Sequence, residues 1–179
     1  MKIAIKNARL AFPNLFRPQT FNGEGAPTFN ASLLIPKNDP QIELIEKTIN
    51  AVAKDKWGEK AGTVLKTLMA GGKTAFRDGD TKADYAGFDG HMFIATRNKA
   101  RPPVFDADKT PLTEMDGKPY AGCYVVAHVD FWAQDNAFGK RINATLSGIQ
   151  FLKDGEPFSG GAPSSADDFE DVSEAEAVI

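Results

Sequence analysis

The alternation of apolar and polar residues predicts two long paired strands in the second half of the chain. Through residues 122–133 every second side chain is small or apolar, namely Cys123, Val125, Ala127, Val129 and Phe131. Residues 135–139 predict a hairpin connection, and residues 140–152 predict its partner strand. Shorter runs predict further strands over residues 2–12, 28–35 and 92–96, and one that starts at Val104.

A helical period occupies the region between the second and third predicted strands. Its apolar stripe ends near Trp57 and consists of Ile42, Ile45, Ile49, Val52 and Ala53. Asp39 suits the N-cap and Pro40 the first helical position, where a missing N–H is harmless. A second short helix is predicted over residues 59–69, and Gly71 and Gly72 end it.

This order of elements favours a mainly β fold. Two strands, a helical insertion and several further strands lack βαβ alternation, so an OB-like antiparallel barrel with a helical insertion is the best candidate. Residues 13–27 are predicted to form a loop, and residues 73–90 are polar and rich in glycine. The OB-like domain is expected to span residues 1–158, followed by a disordered, flexible acidic tail over residues 159–179.

Composition narrows the function classes. Cys123 is the single cysteine, which excludes an intrachain disulfide and a cysteine-based zinc site. His91 and His128 are the only two histidines, and their spacing matches no hydrolytic zinc motif. The N-terminus lacks the apolar core of a signal peptide, and no apolar run reaches the ~20 residues that span a bilayer. We expect a cytoplasmic protein with no membrane contact, no metal and no cofactor.

Charge is distributed unevenly along the chain. Residues 154–179 carry eight acids and no base, whereas the rest holds all 21 basic residues and 16 acids, a net charge of +5. A basic body attracts polyanions, and an acidic tail competes for the same surface or recruits basic partners. The candidate partner-binding residues of the tail are Asp167, Asp168, Phe169, Glu170, Asp171, Glu174 and Glu176.

Basic residues are interleaved with aromatic ones, as single-strand binding requires. Bases stack on aromatic faces for about 1–3 kcal/mol each, while cations contact the phosphates. Tyr85, Tyr124 and Trp132 suit stacking because their polar edges tolerate water, whereas Phe93, Phe105 and Phe131 suit a core. The candidate nucleic-acid-binding residues are Arg77, Tyr85, Phe88, Arg97, Lys99, Arg101, Tyr124, Trp132, Lys140 and Arg141.

Several short motifs, spread in order over roughly residues 1–160, resemble a known family. They are Phe76-Arg77-Asp78-Gly79-Asp80, Arg101-Pro102-Pro103-Val104, Tyr120-Ala121-Gly122-Cys123-Tyr124-Val125, Gly139-Lys140-Arg141-Ile142 and Leu146-Ser147-Gly148-Ile149-Gln150-Phe151. The family is the small single-stranded-DNA-binding proteins of tailed bacteriophages, long catalogued as a domain of unknown function. The resemblance implies an OB-fold, sequence-tolerant coating of single-stranded DNA during phage replication or recombination, and a tail that contacts a polymerase or helicase.

The sequence also fits two other functions. A metal-dependent nuclease would use Asp78, Asp80, Asp84 and Asp89, although these acids fall in a glycine-rich stretch rather than on rigid elements. A phage structural or scaffold protein would need the tail only for solubility. One departure from proteins of this functional type is that Phe169 lies inside the acidic run instead of at the terminus. A homodimer is compatible with the sequence.

Overall fold

Residues 1–21 and 24–158 are described by a computed structural model, and they form seven β-strands and two α-helices. The elements are β1 (Lys2–Phe21), β2 (Glu24–Pro36), α1 (Gln41–Trp57), α2 (Ala61–Ala70), β3 (Phe76–Asp78), β4 (His91–Asn98), β5 (Val104–Phe105), β6 (Tyr124–Asn136) and β7 (Gly139–Lys153). The tail predicted over residues 159–179 lies outside the described residues. Within the described part of the chain, no helix is long and apolar enough to cross a membrane.

Five strands close into a barrel. β4, β2, β1, β6 and β7 follow one another in antiparallel pairs, and a parallel bridge between Arg97 of β4 and Thr145 of β7 completes the ring. β3 extends the sheet beyond β4, and β5 pairs with β7. The parallel closure between the third and fifth barrel strands is the OB arrangement, so the predicted fold class is confirmed.

The barrel interior is built from the alternation that the sequence displays. Fully buried side chains on four different strands meet there, among them Ile5, Leu33, Ile94 and Val129. Burial of each such side chain contributes about 1.5–3 kcal/mol. The same alternation directs the polar partners on each strand outward, and this fixes which side chains are available to a ligand.

The hairpin between β6 and β7 is tighter than predicted. Antiparallel pairing continues to Asn136 opposite Gly139, which leaves a two-residue turn of Ala137 and Phe138. Gly139 has a φ of 108°, a value that glycine adopts without strain. Phe138 therefore projects from the tip of the hairpin and is 92% exposed.

The predicted loop over residues 13–27 is wrong, because β1 continues to Phe21 and β2 begins at Glu24. The pairing of β1 with β2 shifts register after Ala11 and again after Asn14. Such bulges interrupt the alternation and accommodate proline inside a strand. At the first bulge Phe12 has a φ of 48°, which turns its ring to the outside of the barrel.

The helical insertion begins as its sequence predicts. The Asp39 carboxylate accepts a hydrogen bond from the Gln41 N–H at 2.9 Å, and Pro40 already has helical φ and ψ. Ile45, Ile49 and Ala53 form the buried stripe of α1 and join the barrel core. The predicted second helix is divided into a 3-10 turn at Gly58–Lys60 followed by α2.

Candidate nucleic-acid interface

A row of outward-facing side chains crosses the sheet from β3 to β7. Cross-strand pairing places its members side by side in the order Arg77, Phe93, Leu34, Arg9, Tyr124 and Lys153. Cations and aromatic rings therefore meet on the barrel exterior, as base stacking and phosphate contact require. We call the part of this outer surface around Phe93, Leu34 and Arg9 the covered half. The open half is the part that carries Arg77, Arg97, Trp132 and Arg141.

Residues 79–90 and 154–158 lie over the covered half. Phe88 packs on Phe93 with ring centroids 5.2 Å apart, and Phe158 packs on the same cluster. Gly87 leaves room for this contact, because an added Cβ would collide with the Phe158 ring. Leu34 and Phe93 are thereby removed from solvent, although they point away from the barrel core.

The prediction that Phe88 offers a stacking surface is wrong for this conformation. The ring is only 2% exposed, because it fills the space between the sheet and its own loop. Phe88 instead supports Phe12 and Tyr85, whose centroids lie 5.9 and 5.6 Å away from it. Phe12 is 52% exposed and Tyr85 47%, so these two rings form the accessible edge of the cluster. The sequence did not single out Phe12.

Arg9 is held within the protein by two hydrogen bonds and an aromatic contact. Its Nε donates to the Gly122 carbonyl at 3.0 Å, its Nη2 donates to the Glu156 carbonyl at 2.6 Å, and its guanidinium lies 4.3 Å from the Phe158 ring centroid. Tyr124 lies between the cations of Arg9 and Lys153, at 5.8 and 5.0 Å. Arg9 thus holds the segment that leads out of the barrel towards the C-terminus.

Trp132 marks the open half of the surface. It faces outward from β6 beside Asn143, and its Nε1 donates to the Thr145 hydroxyl at 3.0 Å. This bond fixes the indole while 42% of the residue stays exposed. Arg97 lies opposite Thr145 across the barrel closure, so a cation and an exposed ring flank one hydroxyl. Trp132 and Tyr124 are eight residues apart on one strand, a separation of about 26 Å.

Arg77 and Arg141 lie next to each other although 64 positions separate them in the chain. The Ala75 N–H donates to the Ile142 carbonyl at 2.9 Å, which joins the strand ends that carry them. Burial and the nearby Arg141 charge lower the pKa of Arg77. The Nε atoms of both arginines are buried and have no hydrogen-bond partner among the described residues.

A groove of about 410 Å³ separates α2 from the tip of the β6–β7 hairpin. Val64 and Leu68 line its floor, and Lys73, Lys140 and the exposed Phe138 lie at its rim. Phe138 was missed by the sequence analysis, although an aromatic residue inside a two-residue turn has no route to a core. Its position extends the open half beyond Arg141.

Lys99 and Arg101 follow β4 at the far end of the open half. Arg101 donates from Nη2 to the Phe16 carbonyl at 2.9 Å and lies 5.9 Å from the Phe29 ring centroid. Lys99 is exposed. The predicted cations therefore form two groups. One group lies at the C-terminal end of β4 and consists of Arg97, Lys99 and Arg101. The other lies near β3 and the β6–β7 hairpin and consists of Arg77, Lys140 and Arg141.

Two of the acids proposed for a nuclease, Asp78 and Asp80, anchor the loop over residues 79–90. Lys37 forms ion pairs with Asp78, at 2.8 Å, and with Asp80, and Asp80 also accepts a hydrogen bond from the Gly90 N–H at 2.8 Å. The hydrogen bonds from Lys37 lower the pKa of both aspartates. In the described ranges, no group of three or more His, Cys, Asp or Glu side chains is arranged to hold a metal ion. The candidate tail residues Asp167 to Glu176 lie outside those ranges.

An OB barrel with exposed basic and aromatic side chains on one outer surface defines the class of OB-fold nucleic-acid-binding domains. Within that class the chain belongs to a family described as "Enterobacter phage Enc34, ssDNA-binding protein", whose model matches residues 1–179. Putative protein p50 of Acyrthosiphon pisum secondary endosymbiont phage 1 is 44% identical over 98% of this chain and 96% of its own length.

Two solved structures resemble the barrel. The single-stranded DNA-binding protein from bacteriophage Enc34, solved in complex with ssDNA, has a TM-score of 0.76 and 29% identity, with 88% of this chain and 89% of that one covered. The gp2.5 single-stranded DNA-binding protein of bacteriophage T7 has a TM-score of 0.58 over 96% of each chain. At 13% identity, gp2.5 shows a shared fold alone. The family resemblance drawn from the motifs is therefore confirmed.

Proposed function

We propose that this protein binds single-stranded DNA without sequence specificity and coats it during phage DNA replication or recombination. The observation that supports this most is the open half of the barrel surface, where Trp132 lies among Arg77, Arg97 and Arg141 in a chain of the Enc34 family. Duplex DNA hides its base faces, so a surface that uses stacking selects unpaired strands.

The bound strand is proposed to run along this surface with its phosphates on the cations and its bases on the exposed rings. Lys99, Arg101 and Lys140 extend the line of cations at its two ends. Tyr85 and Tyr124 are proposed as further stacking residues at the border with the covered half. Because Tyr124 is about 26 Å from Trp132, the two rings would contact bases that are several nucleotides apart.

Fluorescence anisotropy of labelled oligo-dT and of a matched duplex, each at two salt concentrations, tests the proposal. We expect preference for the single strand and a steep loss of affinity with salt, because phosphate contacts release counterions. Equal affinity for the duplex, or affinity that is flat across salt, would contradict the proposal. Magnesium-dependent shortening of the oligonucleotide would instead favour the nuclease, and an absence of any binding would favour a structural or scaffold protein.

The tail is proposed as a separate segment, residues 159–179, that follows a binding domain of residues 1–158. Its acids would compete with DNA for the cations and contact a replication protein such as a polymerase or helicase. Truncation after Gly161 removes six acids. We expect tighter DNA binding at low salt, a smaller gain at high salt, and loss of the replication partner in pull-down. Unchanged affinity together with an intact partner would leave the tail a solubilising appendage.

We propose a non-enzymatic role in the cytoplasm of the infected host, in keeping with the phage relatives. A homodimer is a further candidate state. Sedimentation with and without oligo-dT distinguishes a monomer that coats the strand from a preformed dimer.

A further inference from the structure

The arginines of this barrel differ in how their donors are satisfied. Arg17 pairs with Glu114 at 2.8 Å, Arg9 donates to two carbonyls, and Arg101 donates to one. Arg77 and Arg141 differ from these, because the Nε of each is buried and without an acceptor in the described part of the chain. No ion pair between described residues involves either of them.

Two neighbouring guanidinium groups in this state are unfavourable for the isolated protein. Buried donors are normally hydrogen-bonded, and a desolvated charge beside a like charge raises the free energy further. The arrangement nevertheless holds Arg77 firmly, because its guanidinium lies 5.0 Å from the centroid of the Phe93 ring, which is itself buried. A single anion bound by the accessible N–H groups of these two partly exposed arginines would relieve the repulsion.

We propose that Arg77 and Arg141 together bind one phosphate of the DNA strand, which fixes the strand at a single point of the surface. This inference rests on the proposed function. A guanidinium offers a planar fork of donors that matches phosphate oxygens, which a lysine does not. Trp132 lies on the same outer surface, since Gln134, two residues further along β6, is the cross-strand partner of Arg141. The base next to this phosphate can therefore stack on Trp132.

The salt dependence of oligo-dT binding separates one shared phosphate from two. Each phosphate contact on a single strand contributes about 0.7 to the slope of log K against log salt. Because the proposal requires both arginines to hold the phosphate, R77Q and R141Q should each lower the slope by about 0.7. The double variant should lower it by no more than about 0.7, since only one phosphate contact is lost. The matched control pair, R97Q with R141Q, should lower it by about 1.4, because Arg97 lies beside Thr145 and is proposed to contact another phosphate.

An additive loss of about 1.4 in the R77Q/R141Q double variant would overturn the proposal, as would unchanged slopes in the single variants. R77K/R141K keeps both charges, which guards against a Gln variant that fails to fold. It should keep the slope but bind about tenfold more weakly, and affinity equal to that of the unaltered protein would also overturn the proposal. Displacement of DNA by millimolar inorganic phosphate at fixed ionic strength would assign the site to free phosphate instead. If the unaltered protein binds no oligo-dT, the proposed function itself fails.

Discussion

The covered and open halves of the barrel surface both carry arginines and aromatic residues, but these residues have different roles in the two halves. On the covered half, Arg9 finds its acceptors in the carbonyls of Gly122 and Glu156. On the open half, Arg77 and Arg141 have buried donors without an acceptor among the described residues. Among these three arginines, the one whose acceptors the fold supplies holds the structure together, and the two without a described acceptor remain available to a ligand.

Aromatic rings follow the same division. Phe88 and Phe93 are each 2% exposed and form a second small core outside the barrel, whereas Trp132 is 42% exposed and held by one hydrogen bond. Both groups face away from the barrel interior, so strand alternation alone does not separate them. We therefore expect substitutions in the covered half to lower the free energy of unfolding and substitutions in the open half to weaken DNA binding.

The largest expected effect is on stability in the covered half. Phe88→Ala should lower the free energy of unfolding by about 3–5 kcal/mol, because it empties the space between the sheet and residues 79–90. Urea unfolding followed by circular dichroism measures this change. A variant of unaltered stability that no longer binds oligo-dT would show that Phe88 is a contact residue and that the division is wrong.

A smaller loss is expected where the covering loop crosses the sheet. Gly79→Ala would place a Cβ against the carbonyl oxygens of Phe88 and His91, and we expect a loss of about 1–3 kcal/mol in unfolding free energy. Gly62→Ala is the matched control, since nothing lies within 4 Å of its added Cβ in α2. The control should gain about 0.5–1 kcal/mol from helix propensity. Equal midpoints for the two variants in thermal melts would mean that the loop does not pack here.

The two tryptophans test the open half. Trp132→Ala should weaken oligo-dT binding by about 1–3 kcal/mol and leave unfolding nearly unchanged, because 42% of the residue is exposed. Trp57→Ala should do the reverse, since Trp57 packs against the core and its Nε1 donates to Asp135 at 2.9 Å. Anisotropy titrations of oligo-dT measure the affinity of both variants, and thermal melts measure their stability. A binding defect in both, or in neither, would remove the contrast.

The smallest effect concerns pH and the anchor of the covering loop. Hydrogen bonds from Lys37 lower the pKa of Asp78 and Asp80 below the ordinary 3.8, so their stabilising contribution is present above that value and lost as pH falls through the lowered one. In Lys37→Met the titration midpoints of both carboxyls should rise, as followed by NMR. Lys47→Met, whose partner is Glu43, should leave them unchanged. Midpoints that do not respond to Lys37→Met would argue against this anchor.

The parts of the fold that the sequence predicts are those with an uninterrupted local signal. β6 alternates without a break from Val125 to Phe131, and the Asp39 cap precedes a regular stripe in α1. β1 was predicted too short because its bulges change which residue faces the core. A period-2 pattern has no means of showing such a shift before the partner strand is known.

The sequence indicates which residue types the candidate site contains, but not which of them lie together or stay exposed. The interleaving of cations with aromatic residues led to Arg77, Trp132 and Arg141 as candidates, and these three residues lie on one surface of the barrel. The burial of Phe88 depends on where a long loop folds back, which no local pattern encodes. Likewise, Arg77 and Arg141 are brought close together by the backbone hydrogen bond between Ala75 and Ile142. This long-range pairing has no local sequence signature.

The attachment of the helical insertion to the barrel has a consequence for changes in its length. The chain leaves the barrel where the Lys37 N–H donates to the Gly90 carbonyl at 3.1 Å, and it returns where Ala75 bonds both Ala95 and Ile142 at 2.9 Å. Both points of attachment are fixed by backbone groups, which are present whatever the side chains are. The segment between them can therefore change in length without moving the strand that carries Arg77, provided that the apolar stripe of α1 still joins the barrel core.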